Sequence, residues 1–316
     1  MALSLRRPVG RLLVRAGYEI HKVDEDLWLL RRPGAKEPVI IERLDKTTWT
    51  VQRKRKDRRK IVPVGPPELR THLLTQERRA PVPMSKRQRA LGDYLAHELI
   101  ATTLRELRVN CVLDVGANVG QYAQGLREAG YTGRIASFEP IADLAASLRD
   151  KASRDPDWLV FNCALGDEPG EAQINAVPGT MSSLLPSSEF GKDWSDKLQE
   201  THPETIRVER LDGILDEATA GLEDPRLYLK MDTQGYDLQT FRGAGKRIED
   251  VLALQSEVAC VPIYDGMTRM PEQLAAYEAE GFEITGIYPV SRHVSTLRMI
   301  ELDLMMIRPD AMPKQS

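Results

Sequence analysis

The chain has 316 residues, 41% of them hydrophobic and 29% charged, with a net charge of −3. That composition suits a globular protein with room for one large α/β domain and a smaller one. Its three cysteines (Cys111, Cys163 and Cys260) form no CxxC pair and the five histidines stand apart from them, which excludes a disulfide framework and a zinc ligand set.

No stretch is long and apolar enough to span a bilayer. The partly apolar N-terminus is broken by Arg6, Arg7, Arg11 and Arg15, so it lacks a signal-peptide core. A cytoplasmic protein, at most peripheral to a membrane, is expected. Charge is unevenly spread: residues 1–90 hold 23 Lys and Arg against 10 Asp and Glu, while the remainder is acidic. A basic piece on an acidic body points to an anionic partner or to mutual attraction of the two.

Residues 1–85 read as a basic α+β accessory module. A short helix is expected over Leu3–Ala16, with strands within Glu19–Leu30 and Val39–Val51 and a turn at Pro33-Gly34. Seven of the eight residues from Arg53 to Lys60 are basic. Such a run is a solvated loop or a docking surface for an anionic membrane, glycan or nucleic acid. Pro63–Pro67 and Pro81–Pro83 have the composition of linkers.

Residues 86–316 read as the main domain. Leucines at 91, 95, 99 and 107 give Lys86–Leu107 a helical face. Cys111–Val115 is then a buried strand, followed by a turn with Gly116 and Gly120 and a helix ended by Gly130. Glycines there allow a ligand close to the backbone. Arg134–Phe138 is a second strand, Ile141–Leu148 a helix and Trp158–Cys163 a third strand. This βαβαβ order predicts right-handed crossovers and a parallel sheet. Residues 171–200 are polar and read as an irregular insertion over the sheet. Strands resume at Arg226–Met231 and Val251–Val258, and Pro271 opens a helix that Gly281 ends. Phe282–Tyr288 and Ile300–Ile307 close the domain as an antiparallel hairpin, giving a Rossmann-like, mostly parallel seven-stranded sheet.

Ligands of such sheets bind at the carboxyl ends of the strands. The polar residues expected there are Asp114, Gly116, Asn118 and Gly120 after strand one, Glu139 after strand two and Asp167 after strand three. Asp232 follows strand four, and Glu257 lies on strand five. Glu139, placed after its strand like a ribose-binding acid, would accept hydrogen bonds from both ribose hydroxyls. Gly116-x-x-x-Gly120 lacks the third glycine of a pyrophosphate loop, so a ligand with a ribose and no phosphate fits better than a dinucleotide. S-adenosylmethionine is the common one.

Four stretches together, Val112–Gly120, Phe138-Glu139-Pro140, Asn162–Asp167 and Leu229–Asp237, resemble the FkbM-type methyltransferases. The resemblance spans about residues 90–308 and implies a class I methyltransferase fold. It also implies transfer of the methyl group of S-adenosylmethionine, usually to a hydroxyl of a sugar, glycan or small natural product. Where that family usually has Lys-Ile-Asp-Val-Glu-Gly, this chain has Lys230-Met231-Asp232-Thr233-Gln234-Gly235, which removes a base at Gln234.

Asp232 is therefore the first candidate for the base, with Lys230 as its orienting partner on the same strand face and Glu257 as a second base. Tyr264 and His293 are expected to shape the acceptor pocket. Two other readings stand beside this one. The first is an RNA methyltransferase docking through the basic module, although the run lacks aromatics for base stacking. The second is a non-catalytic relative, against which the intact Asp114, Gly116 and Glu139 argue.

Overall fold

The computed structural model describes residues 18–22, 28–31, 39–43, 49–53, 60–64, 71–75, 84–177, 179–293 and 295–312. The helix expected over Leu3–Ala16, the Pro33-Gly34 turn and residues 54–59 of the basic run lie outside them. The chain forms two compact units, Met1–Arg87 and Gln88–Ser316.

Within the first unit, β1 (Glu19–Lys22) and β2 (Trp28–Arg31) pair antiparallel. β3 (Val39–Arg43), β4 (Trp49–Arg53), β5 (Lys60–Val64) and β6 (Thr71–Thr75) form an antiparallel meander. Runs such as Trp28-Leu29-Leu30 and Val39-Ile40-Ile41, rich in β-branched and large apolar residues, are what drives strand formation here.

α1 (Met84–Glu106) leads into the second unit. Its sheet is built from β7 (Cys111–Val115), β8 (Arg134–Phe138), β9 (Trp158–Phe161), β13 (Leu227–Met231), β14 (Val251–Ala259), β15 (Glu283–Arg292) and β16 (Met299–Ile307). The strand order is β15-β16-β14-β13-β7-β8-β9. β16 runs antiparallel to both β14 and β15, and the remaining pairs are parallel. Every residue of β7 and β13 is buried, as a parallel strand covered on both faces requires.

One face carries Leu113, Leu229, Leu254 and Leu304 beneath α6 (Asp237–Gly243) and α7 (Met270–Ala279). The other face carries Val112, Tyr228 and Ala253 against Ile100 and Leu104 of α1 and Ala123 and Leu126 of α2 (Gln121–Glu128). Each fully buried leucine contributes roughly 1.5–3 kcal/mol. α3 (Ala142–Ala152) completes that layer through Leu148 and Ala152, packed beside Trp158. β7 is the switch point of the topology: β8 follows on one side and β13 lies on the other, so a crevice opens at their carboxyl ends.

The stretch expected to be irregular is ordered. β10 (Ala164–Leu165), β11 (Gly170–Ala176) and β12 (His202–Glu209) form a three-stranded sheet in the order β10-β12-β11. Ala164, Ile174, Ile206 and Val208 are its core. Between β11 and β12 lies the short helix α4 (Glu189–Trp194), capped by Ser188, whose Oγ accepts the N–H of Gly191 at 3.0 Å. α5 (Leu211–Ala218), also unforeseen, buries Leu211, Ile214, Leu215 and Ala218. The third strand ends at Phe161 rather than Cys163, because Asn162 turns its amide onto the carbonyls of Glu139 and Pro140 at 2.9 Å each. Among the described residues no helix is long and apolar enough to cross a membrane.

Candidate active site

The crevice at the switch point holds a cleft with about 650 Å³ of empty space, part of it open to solvent. Gly116, Asn118 and Glu139 border it on one side, Asp232, Thr233 and Gln234 on another. Ile141, Leu144, Leu165 and Ile174 supply an apolar end, and Thr180, Ser182 and Leu184 come from the segment after β11.

The turn after β7 is held by backbone and by carboxylate. The N–H groups of Gly116 and Ala117 donate to the carbonyl of Phe138 at 3.1 and 3.0 Å. Glu139 accepts the N–H of Asn118 on Oε2 at 2.8 Å and that of Ile141 on Oε1 at 2.9 Å. Each carboxylate oxygen thus has one protein donor and a remaining lone pair. Burial pushes the Glu139 carboxyl above its ordinary value, and the two N–H donors pull the other way. Asn118 takes a left-handed backbone (φ 50) and donates its Nδ2 to the carbonyl of Gly179 at 2.8 Å, which ties the turn to the segment over the cleft.

Packing also demands the two turn glycines. Both have positive φ (75 and 82). A Cβ on Gly116 would overlap the carbonyl oxygen of Asp232, and one on Gly120 would run into Leu148 and Trp158. Gly116 therefore lets two loops at neighbouring strand ends touch. Gly120 seats α2 against α3 and β9.

Beneath the turn lies a buried ion pair. Lys230 Nζ stands 3.1 Å from Asp114 Oδ1 and 3.8 Å from Asp232 Oδ2. It also donates to the carbonyls of Val115 and Gly116 at 3.3 and 3.2 Å and lies 5.3 Å from the centre of the Tyr122 ring. Burial alone would depress its ammonium, but Asp114 and Asp232 outweigh that and hold it above the ordinary lysine range. Asp114 is fully buried and receives Ser137 Oγ at 3.2 Å, while Trp158 Nε1 donates to the same Ser137 Oγ at 3.0 Å. Asp114 and Lys230 lie behind the cleft wall, whereas the Asp232 side chain is 40% exposed and faces the opening.

Gln234 stands out beside Asp232. Its Nε2 donates to Asp232 Oδ1 at 3.0 Å and to Glu257 Oε2 at 2.8 Å, and its Oε1 accepts from Tyr264 at 3.0 Å. Glu257 is buried and does not line the cleft; burial, then Glu301 and Asp232, push it well above its ordinary value. Tyr264 is 1% exposed and its hydroxyl also reaches the Met181 carbonyl at 2.8 Å, so it braces the site from behind. Asp167 lies off the cleft, and its carbonyl accepts Arg210 Nη1 at 2.6 Å. His293 lies in the turn of the terminal hairpin, where its Nδ1 accepts the N–H of Thr296 at 3.3 Å.

Sequence reasoning missed Asp237. It is fully buried and accepts from Thr233 N, Ser256 Oγ and Glu257 N at 2.8, 2.8 and 3.0 Å, and from Thr233 Oγ1. It fixes the loop that carries Asp232 and Gln234. The spacing of Thr233 and Asp237, a threonine four residues ahead of an acid at the start of α6, was the signal available.

A mostly parallel sheet of this order, closed by a C-terminal antiparallel hairpin and opening its crevice at the central strand ends, has the Rossmann-like architecture of the class I methyltransferase fold. The chain carries a methyltransferase FkbM domain, matched over residues 114–266, and it is an S-adenosylmethionine-dependent methyltransferase. No match is found among the curated proteins.

Among solved structures, magnesium protoporphyrin IX methyltransferase from Synechocystis PCC 6803 with bound SAM is 11% identical over 72% of this chain and 86% of its own, with a TM-score of 0.39. Fibrillarin from Aeropyrum pernix with bound S-adenosyl-L-methionine is 11% identical over 85% and 99%, with a TM-score of 0.38. An rRNA methylase from Streptococcus thermophilus is 10% identical over 69% and 96%, with a TM-score of 0.37.

Proposed function

We propose that the protein methylates a hydroxyl oxygen of a sugar, glycan or small natural product. The observation that carries this reading is the half-exposed Asp232 carboxylate, which opens into the same cleft as Glu139. S-adenosylmethionine fits the residues present. The free lone pairs of Glu139 suit two ribose hydroxyls, the apolar end at Ile141, Leu144 and Leu165 suits an adenine ring, and the turn at Gly116 and Asn118 borders the remainder. Bound there, S-adenosylmethionine supplies an electrophilic methyl group, so that an O–CH₃ bond forms as the S–CH₃ bond breaks.

Asp232 accepts the proton that the acceptor hydroxyl loses, a step worth a factor of about 10²–10⁴. Lys230, held charged by two carboxylates, keeps Asp232 and the Gly116 turn in register and does not itself act as a base. Asp114 and Gly120 support the turn from within. Glu257 acts through Gln234, and Asp167 through the loop after β10. The basic run from Arg53 to Lys60 gives the protein a contact for an anionic membrane surface. Changing Arg53, Lys54, Arg55 and Lys56 to glutamine is expected to abolish retention on anionic vesicles at low salt without changing cofactor affinity.

A screen of hydroxylated acceptors with isotopically labelled S-adenosylmethionine, read by mass spectrometry, tests the reading. Label appearing on nitrogen or carbon of the product, or only on RNA, would refute it.

A further inference from the structure

Gln234 is 9% exposed and sits in a left-handed backbone conformation (φ 54), so a specific demand holds it there. Its amide is fully used: one NH₂ group is shared between the carboxylates of Asp232 and Glu257, and the oxygen accepts from Tyr264. Its backbone carbonyl accepts from Ser183 Oγ at 2.6 Å, within the segment that roofs the cleft. The direction of the amide follows from its neighbours, since turning it over would set its oxygen against two acids. A glutamate at this point, as in the motif this chain otherwise resembles, would have no proton to give either carboxylate and would add a like charge.

We propose that Gln234 is a positioning residue, a neutral clamp that holds the Asp232 carboxylate facing the cleft by gripping it and Glu257 with one amide and bracing on Tyr264. The proposal rests on the reading that Asp232 faces the reacting methyl. Held in place, Asp232 presents its charge to the sulfonium of S-adenosylmethionine, a charge that S-adenosylhomocysteine lacks. Freed, it swings toward solvent and the distinction weakens. A residue that only fills space would alter the two affinities alike.

The test is calorimetric titration of both ligands into the full chain, comparing the ratio of their dissociation constants in wild type, Asp232→Asn, Gln234→Met and the double variant. Methionine keeps the length of glutamine and loses its hydrogen bonds. Each single change is expected to cut the relative preference for S-adenosylmethionine about three- to tenfold. The double variant should fall no further than Asp232→Asn alone, because the clamp acts only through that carboxylate.

A Gln234→Met ratio equal to wild type, with the Asp232→Asn ratio changed, overturns the clamp and leaves the methyltransferase reading intact. A ratio indifferent to Asp232→Asn overturns it as well, since the clamp then has nothing to hold. Failure of the wild type to bind either ligand defeats both readings. Should Gln234→Met not fold by circular dichroism, Tyr264→Phe removes the brace instead. It is expected to move the ratio the same way, and an unchanged ratio overturns the proposal.

Discussion

Lys230 and Asp114 face each other at 3.1 Å from adjacent central strands, with 6% and 0% of their side chains exposed. Their strands pair in parallel with Lys230 directly opposite Asp114. The pair sets the height of the glycine turn, because the same ammonium binds the carbonyls of Val115 and Gly116. Removing one partner strands the other charge inside the sheet. Lys230→Met is therefore expected to cost about 3–5 kcal/mol of stability. Urea unfolding checks this, and the double variant Asp114→Asn/Lys230→Met should recover part of the loss.

Gly116→Ala should be as damaging for a different reason. The added methyl overlaps the Asp232 carbonyl, and an alanine is strained at φ 75. A cost of about 1–3 kcal/mol for the backbone alone is expected, together with weaker cofactor binding. Thermal unfolding and titration with S-adenosylmethionine measure the two effects. A variant as stable as wild type would mean that the two loops part freely.

Glu139→Gln keeps the shape of the side chain and loses one of two acceptor oxygens. Cofactor affinity is expected to fall by about 1.5–3 kcal/mol, the value of a charge-assisted hydrogen bond. The N–H of either Asn118 or Ile141 also loses its acceptor, so a smaller drop in melting temperature should accompany it. Unchanged affinity by calorimetry would remove Glu139 from the ribose site.

Asp232→Asn is expected to bind S-adenosylmethionine no more than about tenfold more weakly and, with the cofactor saturating, to lower the methyl-transfer rate by a factor of about 10²–10⁴. Single-turnover measurement with labelled donor and the acceptor found by screening reads this directly. A rate equal to wild type would assign the residue to placement of the acceptor alone.

The acidic row beside the site gives a pH signature. Burial pushes Asp303 up to about 7, with Gln255 and Lys230 pulling down and Asp232 and Asp93 pushing up. The unfolded chain titrates near 3.9. Between those values the folded state holds a proton that the unfolded state has lost, so this contribution is full below about pH 4 and is lost as pH rises through about 7. Urea unfolding should show wild type losing stability over that window relative to Asp303→Asn. Parallel profiles would show that Asp303 does not titrate there.

The elements that carry the cleft were legible because their signals are local. Cys111–Val115 and Arg134–Phe138 are short apolar runs closed by a glycine and by Glu139-Pro140, and the structure ends both strands there. The accessory sheet was not legible because β11 buries only Ile174 and β12 only Ile206 and Val208, too few for a period. α5 did carry a helical period in Leu211, Ile214, Leu215 and Ala218, masked by its place after a polar stretch. Gln234 was beyond reach for another reason. Its partners Glu257 and Tyr264 come from later in the chain, so only the folded sheet reveals that its amide has work there.

The register between β7 and β13 also dictates when the cleft comes into being. Cys111 pairs with Leu227, so the two central strands meet only after the helices, β8, β9 and the whole accessory sheet between them have been spanned. Pairings so far apart in sequence form late and slowly. During synthesis Asp114 emerges long before Lys230, and until that lysine arrives its carboxylate has no cation to accompany it into the interior. The nascent chain is therefore held open at its own centre. β13 then still needs β14, and β14 needs β16, so the sheet is open to aggregation or capture by a chaperone until the last strands have followed.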